Sequence, residues 1–348
     1  MNDTVSVAIY GATGALGREV LSLLEERDVV PSTLSLFGSA LSHGEELLVG
    51  SRVKTVRALP DKELPQVDVA FVLLPADVTN EVYLRIKGSA SIVIAVSPGP
   101  EGYDGEVVVP SLNGAKTNPK ASLLLSPTDA AVPLAVALSP LHQSAQIKAV
   151  VVTSLEPASG AGQRGMEALS NQTLSLYRKG EVGGGEGEED EGSPFPHQLA
   201  FNAVPQVGSF GETGLSVAEN QIQETLPRLL GAEFSVAATA VRVPWFSAHG
   251  FSVTLWTNNP LEAETARQLL EKAEGIEVVD GPSDGEYPMP FTAVGRDEVF
   301  VGRIRSNGGS NDSLSLWMCS DNLRLGGAVN LVDIYQWWLS GRHPSGAA

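Results

Sequence analysis

The stretch Val5–Asp28, VSVAIYGATGALGREVLSLLEERD, constrains this chain more than any other. An apolar run from Val5 to Tyr10 breaks into Gly11-Ala12-Thr13-Gly14-Ala15-Leu16-Gly17, after which Val20, Leu21, Leu23 and Leu24 recur at helical spacing. A buried strand, a glycine turn and an amphipathic helix in that order make a βα unit. Glycine lets the backbone turn tightly and approach a pyrophosphate, while the helix start offers free N–H groups and the positive end of its dipole. The G-x-x-G-x-x-G spacing therefore marks Gly11, Thr13, Gly14, Ala15, Leu16 and Gly17 as candidate nucleotide contacts. A turn kept for packing alone has the same spacing.

The pattern repeats. STLSLFGS, VDVAFVLL and SIVIAVS are further apolar strands, and DVTNEVYLRIKGS reads as a helix ending at Gly88. Near-continuous apolar strands separated by helices indicate a parallel sheet covered on both faces. Past residue 128 the strands lengthen and turn rich in Val, Thr, Phe and Trp, as in IKAVVVTSLEPASGAG and FSVAATAVRVPWFSAHGFSVTLWTNN. Such strands suit a mixed or antiparallel sheet. The expected fold class is α/β: a Rossmann-type doubly wound domain, 1–128, with a C-terminal helix at 323–345 packing back on it, followed by an α+β domain, 129–322. The glycine and acid tract GEVGGGEGEEDEGSP, 180–194, cannot bury apolar surface and is expected to be a mobile, solvated loop.

Several function classes are disfavoured by composition. The net charge of −18 opposes phosphate backbones and anionic membranes, so nucleic acid is not an expected partner. The apolar runs fall far short of the roughly 20 residues of a membrane span. An acidic N-terminus leading straight into a strand is unlike a secretory signal, and a cytoplasmic location is expected. The single cysteine, Cys319, excludes an internal disulfide, and His43, His142, His197, His249 and His343 are scattered without metal-ligand spacing, so no metal is expected. Exposed apolar supply in the second domain, including Trp245, Phe246 and Trp256, leads to the expectation of a homodimer through that domain's sheet.

Five ordered segments resemble the aspartate-semialdehyde dehydrogenases, oxidoreductases of amino-acid biosynthesis. YGATGALG is similar to the family's cofactor loop and LAFNAVPQVGSF (199–210) to its central interdomain segment. AVRVPWFSAHGFSV, EYPMPFTAVGRDEVFVGRIR and SDNLRLGGAVN match later signatures in order and spacing. The resemblance covers nearly the whole chain. It implies a reaction in which a thiolate at a helix start attacks an aldehyde, a hydride passes to a nicotinamide, and phosphate attacks the resulting thioester.

The resemblance also implies departures at the site. Asp129, in SPTDAAV, stands where the family has its cysteine, and a carboxylate forms no thioester. As an acid in the first helical turn, beside Ser126 and Thr128 as caps, Asp129 has an ordinary structural role. Glu156 stands at the family's glutamine and adds a second negative charge. The phosphate-binding lysine falls near Asn220 or Gln221, in a helix with no lysine. Leu41 stands at the arginine used for the NADP 2′-phosphate, and no acid for a 2′-hydroxyl is obvious nearby. NAD or NADP remains compatible, NADP being disfavoured by Leu41, and the absence of a cofactor is equally compatible. Arg242 and His249, seven positions apart, match the substrate-carboxylate arginine and the acid/base histidine, and Asn113 is also retained. Cys319, on an apolar strand, reads as a buried, inert thiol.

Two readings follow. One is a Usg-type paralogue that has lost thiol chemistry but keeps the fold, the dimer and binding of a nucleotide or small anionic metabolite. The other is an active NAD(P)-dependent oxidoreductase on an aldehyde or oxo group, with His249 as base and Arg242 as anion clamp.

Overall fold

The computed structural model describes residues 5–60, 63–179, 192–308 and 312–342. The acidic tract at 180–191 and His343 lie outside the described residues. The chain divides into two compact units, Met1–Thr128 with Gly327–Ala348, and Asp129–Gly326.

The first unit is built from β1 (Ser6–Tyr10), α1 (Ala15–Glu26), β2 (Thr33–Gly38), a hairpin of β3 (Glu46–Val49) and β4 (Arg52–Thr55), and β5 (Arg57–Ala58). It continues through β6 (Val67–Val72), α2 (Ala76–Ser89), β7 (Ala90–Val96), β8 (Glu106–Val107), α3 (Pro110–Asn113) and β9 (Leu123–Ser126). The sheet order is β5-β2-β1-β6-β7-β9-β8, with parallel pairing throughout. The order reverses at β1, and in open parallel sheets such a switch point opens a crevice at the carboxyl ends of the strands. Val7, Ile9, Val69, Phe71 and Ile94 are fully buried or nearly so, which accounts for their continuous apolar runs. Helix α2 runs to Ser89, one residue past Gly88, because Ser89 caps its own last turn by donating to the Ile86 carbonyl.

The second unit holds α4 (Ala131–Ala145), β10 (Ile147–Glu156), α5 (Gly162–Lys179), α6 (Val217–Leu230), β11 (Ser235–Arg242) and β12 (His249–Thr257). After these come α7 (Ala263–Glu271), β13 (Ile276–Val278), α8 (Pro290–Ala293), β14 (Val299–Ser306) and β15 (Ser313–Ser320). Its mixed sheet runs β11-β10-β12-β15-β14-β13. β10 pairs parallel with β11 and antiparallel with β12. On β10, Val150, Val152, Ser154 and Glu156 alternate into the covered face while Val151 faces outward. Helix α6 begins with a capping box on Ser216 and Glu219 and stops at Gly231, which adopts the left-handed conformation (φ 66°) that glycine takes without strain. A π-helical turn, Arg324–Val329, then leads into α9 (Asn330–Arg342), which belongs to the first unit and packs on α1, α3, β7 and β9.

The glycine turn shows a division of labour. Gly11 has φ 96°, and a Cβ there would stand 2.4 Å from the Leu73 carbonyl oxygen. At Gly17 a Cβ would stand 2.2 Å from the Gly11 carbonyl oxygen, whereas at Gly14 the nearest obstacle is 3.4 Å away. Gly11 and Gly17 thus let strand, turn and helix close on one another, and Gly14 leaves the helix entrance open. Gly17→Ala is expected to cost about 1–3 kcal/mol of unfolding free energy through overpacking. Gly14→Ala, at an ordinary φ of −68°, is expected to stay within about 0.5 kcal/mol. Denaturant unfolding of the two variants checks the pair.

Candidate functional site

Strand register in the second unit brings three of the sequence-predicted residues to one end of the sheet. Glu156 ends β10, Arg242 ends β11 and pairs with it directly, and His249 begins β12. Since Leu155 lies opposite Gly250, Glu156 comes beside His249 on the covered face. All three are buried, His249 completely. Asp129 completes the group: one of its carboxylate oxygens stands 3.7 Å from His249 Nε2, too far for a hydrogen bond but close enough for strong electrostatic interaction.

The expectation that Asp129 serves as a first-turn acid is corrected here. Helix α4 starts at Ala131, its N-cap is Ala130, and neither a side-chain cap nor a first-turn acid is present. Ser126 accepts from Asn330 and donates to the Pro127 carbonyl, and the Thr128 hydroxyl has no partner, so neither acts as the expected cap. With Pro127 breaking the chain after β9, the helix opens later than the sequence suggests, and the Asp129 carboxylate turns to His249. Gly326 makes the fit possible, because a Cβ there would stand 2.1 Å from the Asp129 carbonyl oxygen.

The cluster is electrostatically loaded. Burial pushes the Glu156 carboxyl above its ordinary value of 4.5; His249 opposes that shift, Asp129 adds to it, and Arg242 and a hydrogen bond from the Ser154 hydroxyl (3.1 Å) oppose it. Arg242 lies 3.8 Å from Glu156 and donates at 2.6 Å to the Pro157 carbonyl. Part of its guanidinium is therefore already engaged within the fold. Both ring nitrogens of His249 are buried without a hydrogen-bond partner. Such orphaned atoms each carry a desolvation cost of about 1–3 kcal/mol unless a water or ligand meets them.

Residues around the cluster hold this arrangement. Ala248 adopts φ 69°, uncommon for a residue with a side chain, immediately before His249. The Asn322 carbonyl oxygen secures it, accepting from the Ala248 N–H (3.1 Å) and from the Ser159 hydroxyl (3.0 Å). Gly160 makes room for Arg242, since a Cβ there would stand 2.5 Å from the guanidinium. The SGAG run after β10 and the SDN run after β15 were the signals for these supports. Asn113 lies in the first unit, where its amide bonds Val107 and Val109 and braces its own turn.

Cys319 is fully buried on β15, and burial pushes its thiol up to about 12, so a thiolate is negligible at neutral pH. Asn220 and Gln221 lie in α6 as polar, uncharged residues. Among the described residues no group of His, Cys, Asp or Glu could hold a metal, and no helix is long and apolar enough to cross a membrane. The glycine turn fits a dinucleotide: Gly14 is exposed at the N-cap of α1 with no side chain over the free N–H groups of the first turn.

A doubly wound domain with an open helix entrance, joined to a mixed-sheet domain bearing a buried Arg–His–carboxylate cluster, defines a nucleotide-dependent oxidoreductase architecture. Residues 6–118 match the family model of the semialdehyde dehydrogenase NAD binding domain, and residues 138–325 match that of the semialdehyde dehydrogenase dimerisation domain. The chain is 37% identical to the aspartate-semialdehyde dehydrogenase of Aquifex aeolicus, over 94% of this chain and 96% of that protein. The Bacillus subtilis aspartate-semialdehyde dehydrogenase is 31% identical, over 96% and 97%. Among solved structures, aspartate semialdehyde dehydrogenase II of Vibrio cholerae superposes with a TM-score of 0.86 at 28% identity, covering 97% of this chain and 98% of that one. The chain belongs to the aspartate-semialdehyde dehydrogenase family.

The Glu156 shift has a consequence for stability. In the unfolded chain this carboxyl releases its proton near pH 4.5, while in the fold it holds the proton to higher pH. Its contribution is complete below 4.5 and is lost as pH rises through the folded-state value. Glu156→Gln is therefore expected to flatten the decline in melting temperature as pH rises above 4.5, relative to the unsubstituted protein. Equal slopes for both proteins would refute the assignment.

Proposed function

We propose that this chain is a Usg-type member of its family: it keeps the nucleotide domain and the dimerisation domain but has lost thiol-dependent phosphorylating dehydrogenase activity. The observation that supports the reading is the Asp129–His249–Glu156–Arg242 cluster, in which two carboxylates and no thiol accompany the arginine and the histidine. Cys319, buried in a strand with its thiol pushed up to about 12, offers no substitute. Against this stands the fact that relatives 30–37% identical are named as aspartate-semialdehyde dehydrogenases, so the test is direct.

Residue roles follow from the chemistry. Asp129 lies against His249, Glu156 holds a proton above the ordinary carboxylate range, and Arg242 offers its remaining N–H groups to a small anionic metabolite. A nicotinamide nucleotide, when bound, supplies a hydride acceptor or donor. Gly11, Thr13, Gly14, Ala15, Leu16 and Gly17 would hold its pyrophosphate at the start of α1. A second reading rests on His249: with both nitrogens unpartnered, its imidazole is available as the base of an oxidoreductase that forms no covalent intermediate, with Arg242 as anion clamp.

Assembly is proposed as a homodimer through the outward face of the second unit's sheet, where Val151 and Trp256 are exposed. Light scattering at micromolar concentration is expected to report a dimer, and a monomer would remove this part of the proposal.

The purified protein is expected not to convert aspartate semialdehyde and phosphate with either nicotinamide cofactor. Turnover within a hundredfold of about 10 per second would overturn the proposal. Asp129→Cys alone is expected to remain inactive, because Glu156 and the missing lysine disfavour the thiolate and the phosphate. Strong activity from that single change would mean that Asp129 is the sole lesion in an otherwise working site. Nucleotide oxidation or reduction with other aldehydes, lost in His249→Ala, would favour the second reading.

A further inference from the structure

The outward side of the second unit's sheet carries a pocket that the Arg242–His249 cluster does not use. It measures about 370 Å³ and is walled by Ser252 of β12, Trp317 of β15, Arg303 and Arg305 of β14, and Tyr287 and Met289 from the loop before α8. Small organic ligands are held in pockets of roughly 300–1,000 Å³. The Trp317 indole N–H donates to the Pro288 carbonyl at 2.9 Å and ties the loop to the sheet. Gly302 lets the two close, since a Cβ there would stand 2.6 Å from Pro288 Cδ and 2.1 Å from the Val279 carbonyl oxygen. Ser252 lies three residues from His249 on the same strand, so the two face opposite sides of the sheet.

An irregularity in β14 brings the arginines there. Gly302 pairs with Trp317 and Arg305 with Ser315, so three steps along β14 oppose two along β15, which is a β-bulge. With Gly302 opposite Trp317, an unbroken strand would turn Arg303 and Arg305 to the covered face and Ile304 outward. With the bulge, both arginines are exposed and Ile304 is buried. The bulge holds Arg303 at φ 53°, a conformation rare for a long side chain. Among the described residues neither guanidinium meets an acid: Arg305 donates to the Arg303 carbonyl (2.8 Å), and the Arg303 side chain has no partner. Glu286, next to Tyr287 in the chain, turns to Gly281, where a Cβ would stand 2.8 Å from its carboxylate. The chain has 41 acids against 23 lysines and arginines, yet this wall has two cations and no acid, which makes it a local focus of positive potential.

We propose that this pocket binds a small organic anion, a carboxylate or phosphate carried on a flat apolar ring. Arg303 and Arg305 take the oxyanion, to which planar guanidiniums donate paired N–H groups. Tyr287, Met289 and Trp317 supply the apolar wall that covers the ring. The site is independent of the chemistry at Asp129 and of the glycine turn. It shares the side of the sheet that carries Val151 and Trp256, toward β14, so assembly is read in the same samples.

Isothermal titration of the full-length protein with benzoate, phenyl phosphate, inorganic phosphate and benzyl alcohol tests the inference. Benzoate and phenyl phosphate are expected to bind at one site per chain with Kd below about 1 mM, and inorganic phosphate and benzyl alcohol at least about tenfold more weakly. The double variant Arg303→Gln with Arg305→Gln is expected to weaken benzoate binding by about tenfold or more. Arg303→Lys with Arg305→Lys is expected to recover part of the phenyl phosphate binding, because lysine keeps the charge and gives up the paired donors. Ser252→Phe, which fills the pocket with both arginines in place, is expected to abolish binding and keeps the test open should the glutamine variant melt early by circular dichroism. Benzyl alcohol binding as tightly as benzoate overturns the inference, as does binding unmoved by the glutamine pair or by Ser252→Phe. Absence of benzoate and phenyl phosphate binding at about 10 mM also overturns it. Light scattering then assigns the arginines to a contact between copies if the glutamine variant is monomeric and the unsubstituted protein dimeric.

Discussion

The register of β10 against its two neighbours is the constraint on which the second unit's chemistry depends. Parallel pairing sets Glu156 directly beside Arg242, and antiparallel pairing on the other flank brings the first residue of β12, His249, to the same end of the sheet. A slip of one residue would turn Glu156 to the outer face and bury Leu155 in its place. The Val150–Val152–Ser154 stripe prevents this, because it too would leave the core. Apolar burial along the strand therefore fixes the position of the charges at its end. The Asn322 amide then fixes the orientation of His249 by holding Ala248 in its left-handed conformation.

Stability does not explain why such a cluster persists. Buried ionic groups are commonly neutral or unfavourable against well-packed apolar residues of similar volume, since desolvation exceeds the attraction regained. Glu156 retains a proton above its ordinary range, His249 lacks partners for both nitrogens, and Arg242 satisfies a backbone carbonyl as well as an acid. Packing alone would have replaced these groups at little cost. Gly160 and Gly326 make room beside Arg242 and Asp129 at distances no Cβ tolerates.

The architecture was legible because it is written in local periodicity. Continuous apolar strands separated by amphipathic helices gave the parallel sheet, and period-two stretches gave the mixed one. The glycine turn was legible too, since its spacing reflects contacts within one βα unit. Side-chain partnerships were not. Asp129 read as a capping acid because helix starts attract acids, yet the helix opens at Ala131 and the carboxylate answers to a histidine 120 positions away in the chain. Ser159 with Asn322 and Arg18 with Glu45 are likewise joined by the fold alone. Such pairs leave no periodic trace.

In the two units, steric and chemical demands fall on different residues. In the first, Gly11 and Gly17 meet steric demands that any closed βα turn imposes, but Gly14 does not: a Cβ there would meet only the Gly11 carbonyl oxygen, at 3.4 Å. Packing therefore accounts for two of the three glycines, and the third keeps the helix entrance clear for an approaching group. In the second, the demand is chemical as well as steric, with Asp129 and Glu156 set beside His249 and Arg242.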